Sequence, residues 1–307
     1  MKKGLTVLLL LCMLYTNIYL AADAEDNTGS WFVDTSGKDE EPYDPFGIFK
    51  SQPEQMPSGV QNNNLSSQKN RVKADKSSSQ IQQVKAEPKK VTTTMTTTNS
   101  ANPNVKFMYY IPAKAVQNPD MAIPVIVYVP GLDSDGEECL PWSFYGFADE
   151  NNFGILTPTF KFDNEDFENE KSYQYPAAWS GQALIRMLNK AKRGGLNYSK
   201  LYLVGFSAGA QFSSRFSLIY PEMVEACAIL ASGARVKPEK KTDVKYFIGI
   251  GTMDDEFRLK NAEIFVEAAR NLGMPVEYRK YMVGHETPDE EYQDVLNFFK
   301  RVHNNSF

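Results

Sequence analysis

Apolar residues change their spacing near residue 105, and the change divides the chain into two textures. From Val105 onward, short runs rich in β-branched and aromatic residues alternate with stretches whose apolar positions recur every three or four residues. The runs KFMYYIP, IPVIVYVPG, FGILTPTF, KLYLVGF, EACAILASG, KYFIGIG and VEYRKYM read as strands. Several are almost unbroken apolar stretches, as expected of strands covered by helices on both faces. Between them, AAWSGQALIRMLNKAKRGG sets Trp179, Leu184, Met187, Leu188 and Ala191 on one helical face and stops on glycines. LKNAEIFVEAARNLG repeats the device with Ile264, Phe265, Ala268 and Leu272 ahead of Gly273, and DEEYQDVLNFFKRV supplies a last helix. Alternating strands and helices predict an α/β domain at 105–307, with a mostly parallel central sheet and helices on both faces. No internal period of ~20–50 residues is present, which argues against a solenoid or propeller.

Ahead of that domain, residues 25–104 are poor in large apolar side chains and rich in Ser, Thr, Asn, Gln, Lys and Pro, as in NNNLSSQ, DKSSSQIQQ and VTTTMTTTN. Such a segment buries too little apolar surface to offset the entropy of ordering it, so it reads as a disordered linker. Its aromatic island, WFVDTSGKDEEPYDPFGIF, is either a docking peptide or a few stray aromatics in disorder. Residues 1–24 combine two lysines, an apolar stretch from Leu5 to Leu20 and the small-x-small triplet Ala22-Asp23-Ala24. That is the pattern of a secretory signal cleaved after Ala24, and it predicts a secreted or periplasmic protein without a stable membrane span. The alternative is an uncleaved anchor, although the apolar core is shorter than the ~20 residues a spanning helix needs.

Composition narrows the classes of partner. Lys and Arg number 33 against 38 Asp and Glu, a net charge of −5, which leaves no broad basic surface for nucleic-acid phosphates. Beyond Cys12 in the apolar leader, the cysteines are Cys139 and Cys227, too few for a disulfide framework and without metal-ligand spacing. Cys227 lies in an apolar run and reads as a packed thiol, and whether it pairs with Cys139 stays open. Oligomeric state is not legible.

The stretch LYLVGFSAGAQF carries the chemistry. Gly205-Phe206-Ser207-Ala208-Gly209 fits G-x-S-x-G, with a credible strand before it and a credible helix, bearing Phe212, Phe216 and Ile219, after it. Strand, sharp turn and helix form the context in which such a serine is a nucleophile rather than a turn residue. A serine hydroxyl needs a base, and the chain holds only His285 and His303. His303 follows the last helix; His285 sits in YMVGHETPDEE, between the last strand and the last helix, and is the candidate base. Asp254 and Asp255 follow the strand YFIGIG, and one of them is the candidate acid that orients the imidazole. Asp254 is preferred and Asp255 remains the alternative; either one can also serve as a cap of the next helix. Candidate oxyanion donors are the backbone N–H groups of Ala208, directly after the serine, and of Leu132, next to Gly131 in VIVYVPGLDSDG.

From Phe107 to the end the chain resembles the α/β-hydrolases. It is most similar to the exported esterase group that includes polyhydroxybutyrate depolymerase-like and feruloyl esterase-like proteins. The resemblance rests on FMYYIP, IPVIVYVPGLDSDG, FADENNFGILTP, LYLVGFSAGAQFSSRF, YPEMVEACAILASG, IGIGTMDDEF and GHETPDEEYQDVLNFF, taken in order. It implies Ser207 as nucleophile, Asp254 as acid, His285 as base, and Leu132 and Ala208 as oxyanion donors. Two positions depart from the pattern: Pro130-Gly131 stands where many relatives have His-Gly, and Phe206 precedes the serine. The implied chemistry is acyl transfer from a small-molecule or polymeric ester to water, with no metal or organic cofactor. Alternatives are a serine peptidase of the prolyl-oligopeptidase type and a silent binding or envelope protein on the same scaffold. The insertion from Lys161 to Trp179 is expected near the substrate rim, with Phe162, Phe167, Tyr173, Tyr175 and Trp179 as candidate stacking residues beside Phe206; the alternative is a solvated surface loop with Trp179 in the core.

Overall fold

Period-two burial along the strands explains how one sheet carries two cores. In β3 (Ile123–Val129), Ile123, Val125, Val127 and Val129 face one apolar cluster, while Ile126 and Tyr128 face the other. In β5 (Tyr198–Phe206), Leu201 and Leu203 face the first and Tyr202 and Val204 the second. A strand apolar on both faces has to be covered twice. The computed structural model, which describes residues 86–97, 104–132, 134–161 and 172–306, supplies the covers. The π-helical turn Pro176–Ser180, α3 (Gly181–Arg193), α4 (Ala208–Ile219) and α5 (Glu256–Asn271) lie over the first face. On the second face are α2 (Trp142–Asn151) and α6 (Asp289–His303), with Phe144, Phe147, Phe298 and Phe299. A one-turn α1 (Ala113–Gln117) precedes β3.

The sheet has eight strands in the order β1-β2-β4-β3-β5-β6-β7-β8, completed by β1 (Lys89–Thr96), β2 (Asn104–Ile111), β4 (Gly154–Thr159), β6 (Val224–Leu230), β7 (Lys245–Gly251) and β8 (Val276–Tyr281). Pairing is antiparallel for β1 with β2 and for β2 with β4, and parallel from β4 through to β8. Each strand expected from the sequence lies in this sheet.

β1 corrects the expected domain boundary. Lys89–Thr96 lies within the stretch read as a linker, yet it pairs with β2 over its whole length, from Lys89 opposite Ile111 to Thr96 opposite Asn104. An edge strand needs only one apolar face, here Val91 and Met95 packed on the core, and β-branched threonines suit the exposed one. Low apolar content therefore hid a strand rather than marking disorder, and the domain begins before Lys89. The expectations for the leader at 1–24 and for the linker as far as 85 fall outside the described residues. Cys139 and Cys227 are both free; Cys227 is buried, and desolvation pushes its thiol up to about 12. Among the described residues no helix is long and apolar enough to cross a membrane.

One core group works against the fold. Glu291 of α6 is 2% exposed, its Oε1 has no hydrogen-bond partner among the described residues, and its carboxylate fills the space over Gly249 of β7. Burial, helped by the nearby Asp294 charge, pushes this carboxyl up to about 8 from 4.5. The folded protein thus holds a proton that the unfolded chain releases above its ordinary carboxylate range, so stability drains as pH rises from there through about 8. Glu291→Gln is isosteric and cannot ionise. Compared with the parent in urea denaturation, it is expected to gain on the order of 3 kcal/mol on going from pH 5 to pH 8.

Candidate active site

Three loops, at the carboxyl ends of β5, β7 and β8, meet around Ser207. The serine ends β5 and begins α4 with φ 52° and ψ −115°, a conformation side chains other than glycine avoid. Close packing imposes it. A side chain on Gly209 would drive into the backbone carbonyls of Val129 and Pro130, and one on Gly205 into the backbone of Gly209 and Ala210. Only glycine at both places lets α4 fold back this tightly against β3 and β5. The turn is pinned by the Ser207 N–H donating to Leu230 O at 2.9 Å and the Gln211 N–H donating to Ser207 O at 3.1 Å.

His285, from the loop between β8 and α6, has Nε2 3.0 Å from Ser207 Oγ and Nδ1 2.9 Å from Asp254 Oδ2. An ionised carboxylate only accepts, so Nδ1–H is the donor to Asp254, which leaves Nε2 to accept from the serine hydroxyl. The Asp254 side chain is 1% exposed, and its Oδ1 accepts the Asp255 N–H at 2.7 Å. Phe206 lies against the imidazole with ring centroids 5.1 Å apart and planes tilted by 30°, a wall that limits how the ring can swing. The structure thus brings together Ser207, Asp254, His285 and Phe206. This arrangement can draw the serine proton onto His285 and hold the resulting imidazolium against Asp254.

The remaining candidates separate. Asp255 turns outward at the N-cap of α5 with its side chain 67% exposed, so Asp254 is the acid in contact with the imidazole. Ala208 is the next residue in the chain after the serine, and Gly131, which precedes Leu132, lies close by, since an atom added at its Cα would stand 3.6 Å from Ser207 Cβ. Neither of their amides donates a backbone hydrogen bond in the turns and loops of the described residues. His303 packs edge-on against Phe153 and Tyr202 instead, with centroids 5.0 and 6.4 Å away.

Tyr173 and Trp179 are a correction. Both are buried, at 2% and 5% exposure, with Tyr173 stacked on Phe160 and Trp179 edge-on to the same ring. The cause is the π-helical turn, which folds the end of the insertion inward, where the Ser180 hydroxyl donates to Tyr173 O at 2.6 Å. Their aromatic surface belongs to the core and is closed to a substrate. Tyr175 has its ring covered by the Arg215 guanidinium at 4.3 Å. Phe162 and Phe167 lie outside the described residues. Sequence reasoning did not single out Arg258, which lies 3.5 Å from Asp254 Oδ1; the i, i+4 spacing at the start of α5 was the available signal. Among the described residues no group of three or more His, Cys, Asp or Glu side chains is arranged to hold a metal ion.

No protein-family model matches the chain, and no curated protein sequence matches it either. Solved structures do. A ferulic acid esterase superposes with a TM-score of 0.53 at 16% identity, over 71% of this chain and 99% of that one. An S-formylglutathione hydrolase from Agrobacterium tumefaciens gives 0.53 at 15% identity over 70% and 94%. The S-formylglutathione hydrolase FrmB from Staphylococcus aureus gives 0.51 at 13% identity over 71% and 97%. The fold is that of the α/β-hydrolases.

The packing at the turn makes two glycines unequal. Gly→Ala inside a helix ordinarily stabilises, but Gly209→Ala is expected to cost on the order of 3 kcal/mol or more in chemical denaturation. Gly131→Ala adds an atom no closer than 3.4 Å to its neighbours and is expected to stay within about 1 kcal/mol of the parent.

Proposed function

We propose that the protein is a serine hydrolase that cleaves carboxylic esters through an acyl-serine intermediate. The observation that carries this reading is the unbroken line of hydrogen bonds from Ser207 Oγ through His285 to the buried Asp254 carboxylate, with the serine held at a strained turn. In this reading His285 Nε2 takes the proton as Ser207 Oγ attacks the ester carbonyl carbon. The backbone amides of Ala208 and Leu132 receive the charge that develops on the carbonyl oxygen. The imidazolium then gives its proton to the leaving alcohol. A water, deprotonated by the same nitrogen, attacks the acyl carbonyl, releases the acid and restores the serine. Asp254 orients the imidazole and stabilises the imidazolium.

The substrate is proposed as a small-molecule or polymeric carboxylic ester. The likeness to a ferulic acid esterase and to S-formylglutathione hydrolases makes feruloyl esters and acyl thioesters the first compounds to try. The leader-like pattern at residues 1–24 supports export from the cytoplasm.

A fluorophosphonate probe and p-nitrophenyl acetate test the assignment. The parent protein is expected to be labelled and to hydrolyse the ester, whereas Ser207→Ala and His285→Ala lose labelling and at least about 10³-fold in kcat. Asp254→Asn is expected to fall by about 10³-fold or more, and Asp255→Asn to stay within about twofold. Equal labelling of Ser207→Ala, or equal losses at the two aspartates, overturns the assignment.

A further inference from the structure

Resting on the reading of Ser207, Asp254 and His285 as a catalytic set, we infer that Arg258 is the positioning residue that fixes the Asp254 carboxylate. That carboxylate has two ends with different tasks. Oδ2 faces His285 Nδ1 at 2.9 Å, and Oδ1 is turned the other way, toward the Asp255 N–H at 2.7 Å and Arg258 Nε at 3.5 Å. A carboxylate taken this far out of water needs partners for both of its oxygens, and a positive charge beside it offsets the lost hydration. Arg258 supplies that charge. Its side chain is only 18% exposed, and no carboxylate other than Asp254 and the outward-turned Asp255, 3.7 Å from Nε, pairs with it among the described residues.

The guanidinium is itself held on three sides. Nη1 donates to Ala231 O at 3.4 Å, the plane lies over the Phe257 ring at 4.9 Å, and Gly233 leaves the space that Nη1 occupies, since a Cβ there would stand 2.7 Å from it. Asn261, one turn further along α5, donates to Gly233 O at 2.8 Å. The first turns of α5 therefore clasp the loop that leaves β6, whose last residue, Leu230, accepts the Ser207 N–H. One side chain ties the loop of the acid to the strand that pins the nucleophile's turn. Because Arg258 touches neither serine nor imidazole, its removal alters how often the carboxylate presents Oδ2 to His285 and leaves substrate capture alone.

The test compares Arg258→Met, Arg258→Lys and Gly233→Ala with the parent, each checked for folding by thermal denaturation. Hydrolysis of p-nitrophenyl acetate gives kcat and KM; the strongly deshielded Nδ1–H proton of His285 is followed by ¹H NMR, with His303→Gln to remove the other imidazole. Arg258→Met is expected to lose about tenfold or more in kcat with KM within about threefold, and to broaden or lose the Nδ1–H signal. Arg258→Lys is expected to recover most of both, because a cation returns to the same pocket. Gly233→Ala, whose Cβ displaces the guanidinium, is expected to behave as Arg258→Met does, which keeps the test alive if that variant does not fold. A folded Arg258→Met or Gly233→Ala protein with the parent's kcat and an unchanged Nδ1–H signal overturns the inference. If the parent neither turns over esters nor takes the fluorophosphonate label, yet the signal still depends on Arg258, the reading of Ser207 as nucleophile fails while the role of Arg258 stands.

Discussion

The backbone of Ser207 is the constraint on which the rest of the site depends. A serine at φ 52° and ψ −115° is held against its own preference, and the surrounding packing supplies the force. β3, β5 and α4 approach so closely that Gly205 and Gly209 have no room for side chains, and the Ser207 N–H is tied to Leu230 at the end of β6. Relaxing the turn would require separating elements that share the larger apolar core, in which Phe212 and Phe216 of α4 are fully buried. Strain at one residue is thus sustained by many ordinary hydrophobic contacts, and its result is a hydroxyl projected at the carboxyl edge of the sheet.

Topology does the remaining assembly. β5, β6, β7 and β8 are successive neighbours in the parallel part of the sheet, so the loops leaving them emerge side by side. Chain segments nearly eighty positions apart, at Ser207 and His285, come within hydrogen-bonding distance for this reason. Once there, each side chain is restrained by its own surroundings: the imidazole by Phe206 and Asp254, the carboxylate by the Asp255 amide and Arg258. A proton relay needs such restraint, because a misplacement of about 1 Å at a reacting group is enough to cost orders of magnitude in rate.

Much of this was legible in the sequence, for identifiable reasons. Unbroken apolar runs such as IPVIVYVPG report burial on two faces, and one-sided helical patterns report which face packs, so the sheet and its covers could be read directly. β1 could not, since an edge strand with one covered face has the Thr-rich texture of a linker, and only its pairing with β2 distinguishes the two. That Ser207, Asp254 and His285 meet could be expected because the strand-turn-helix context, the scarcity of histidine and the order of the residues converge. The choice between Asp254 and Asp255 turns on side-chain direction at a helix N-cap, which neighbouring identical residues do not encode. Tyr173 was misplaced, and Trp179 left between rim and core, because an aromatic in an insertion has the same letter whether it faces a ligand or, through a π-helical turn, the core. Arg258 was overlooked because an i, i+4 acid–base pair is commonplace on helix surfaces, and only the burial of the Asp254 side chain sets this one apart.

In the proposed mechanism Ser207 Oγ, held at its strained turn, is the atom to which an acyl group is transferred. Rapid acid quench of the protein mixed with p-nitrophenyl acetate, followed by peptide mass mapping, tests it most directly. A single acetyl group on the peptide containing Ser207, formed as fast as the first p-nitrophenolate is released, is the predicted result. Release of p-nitrophenolate with no acetyl on that peptide, or with the acetyl on another residue, would contradict it.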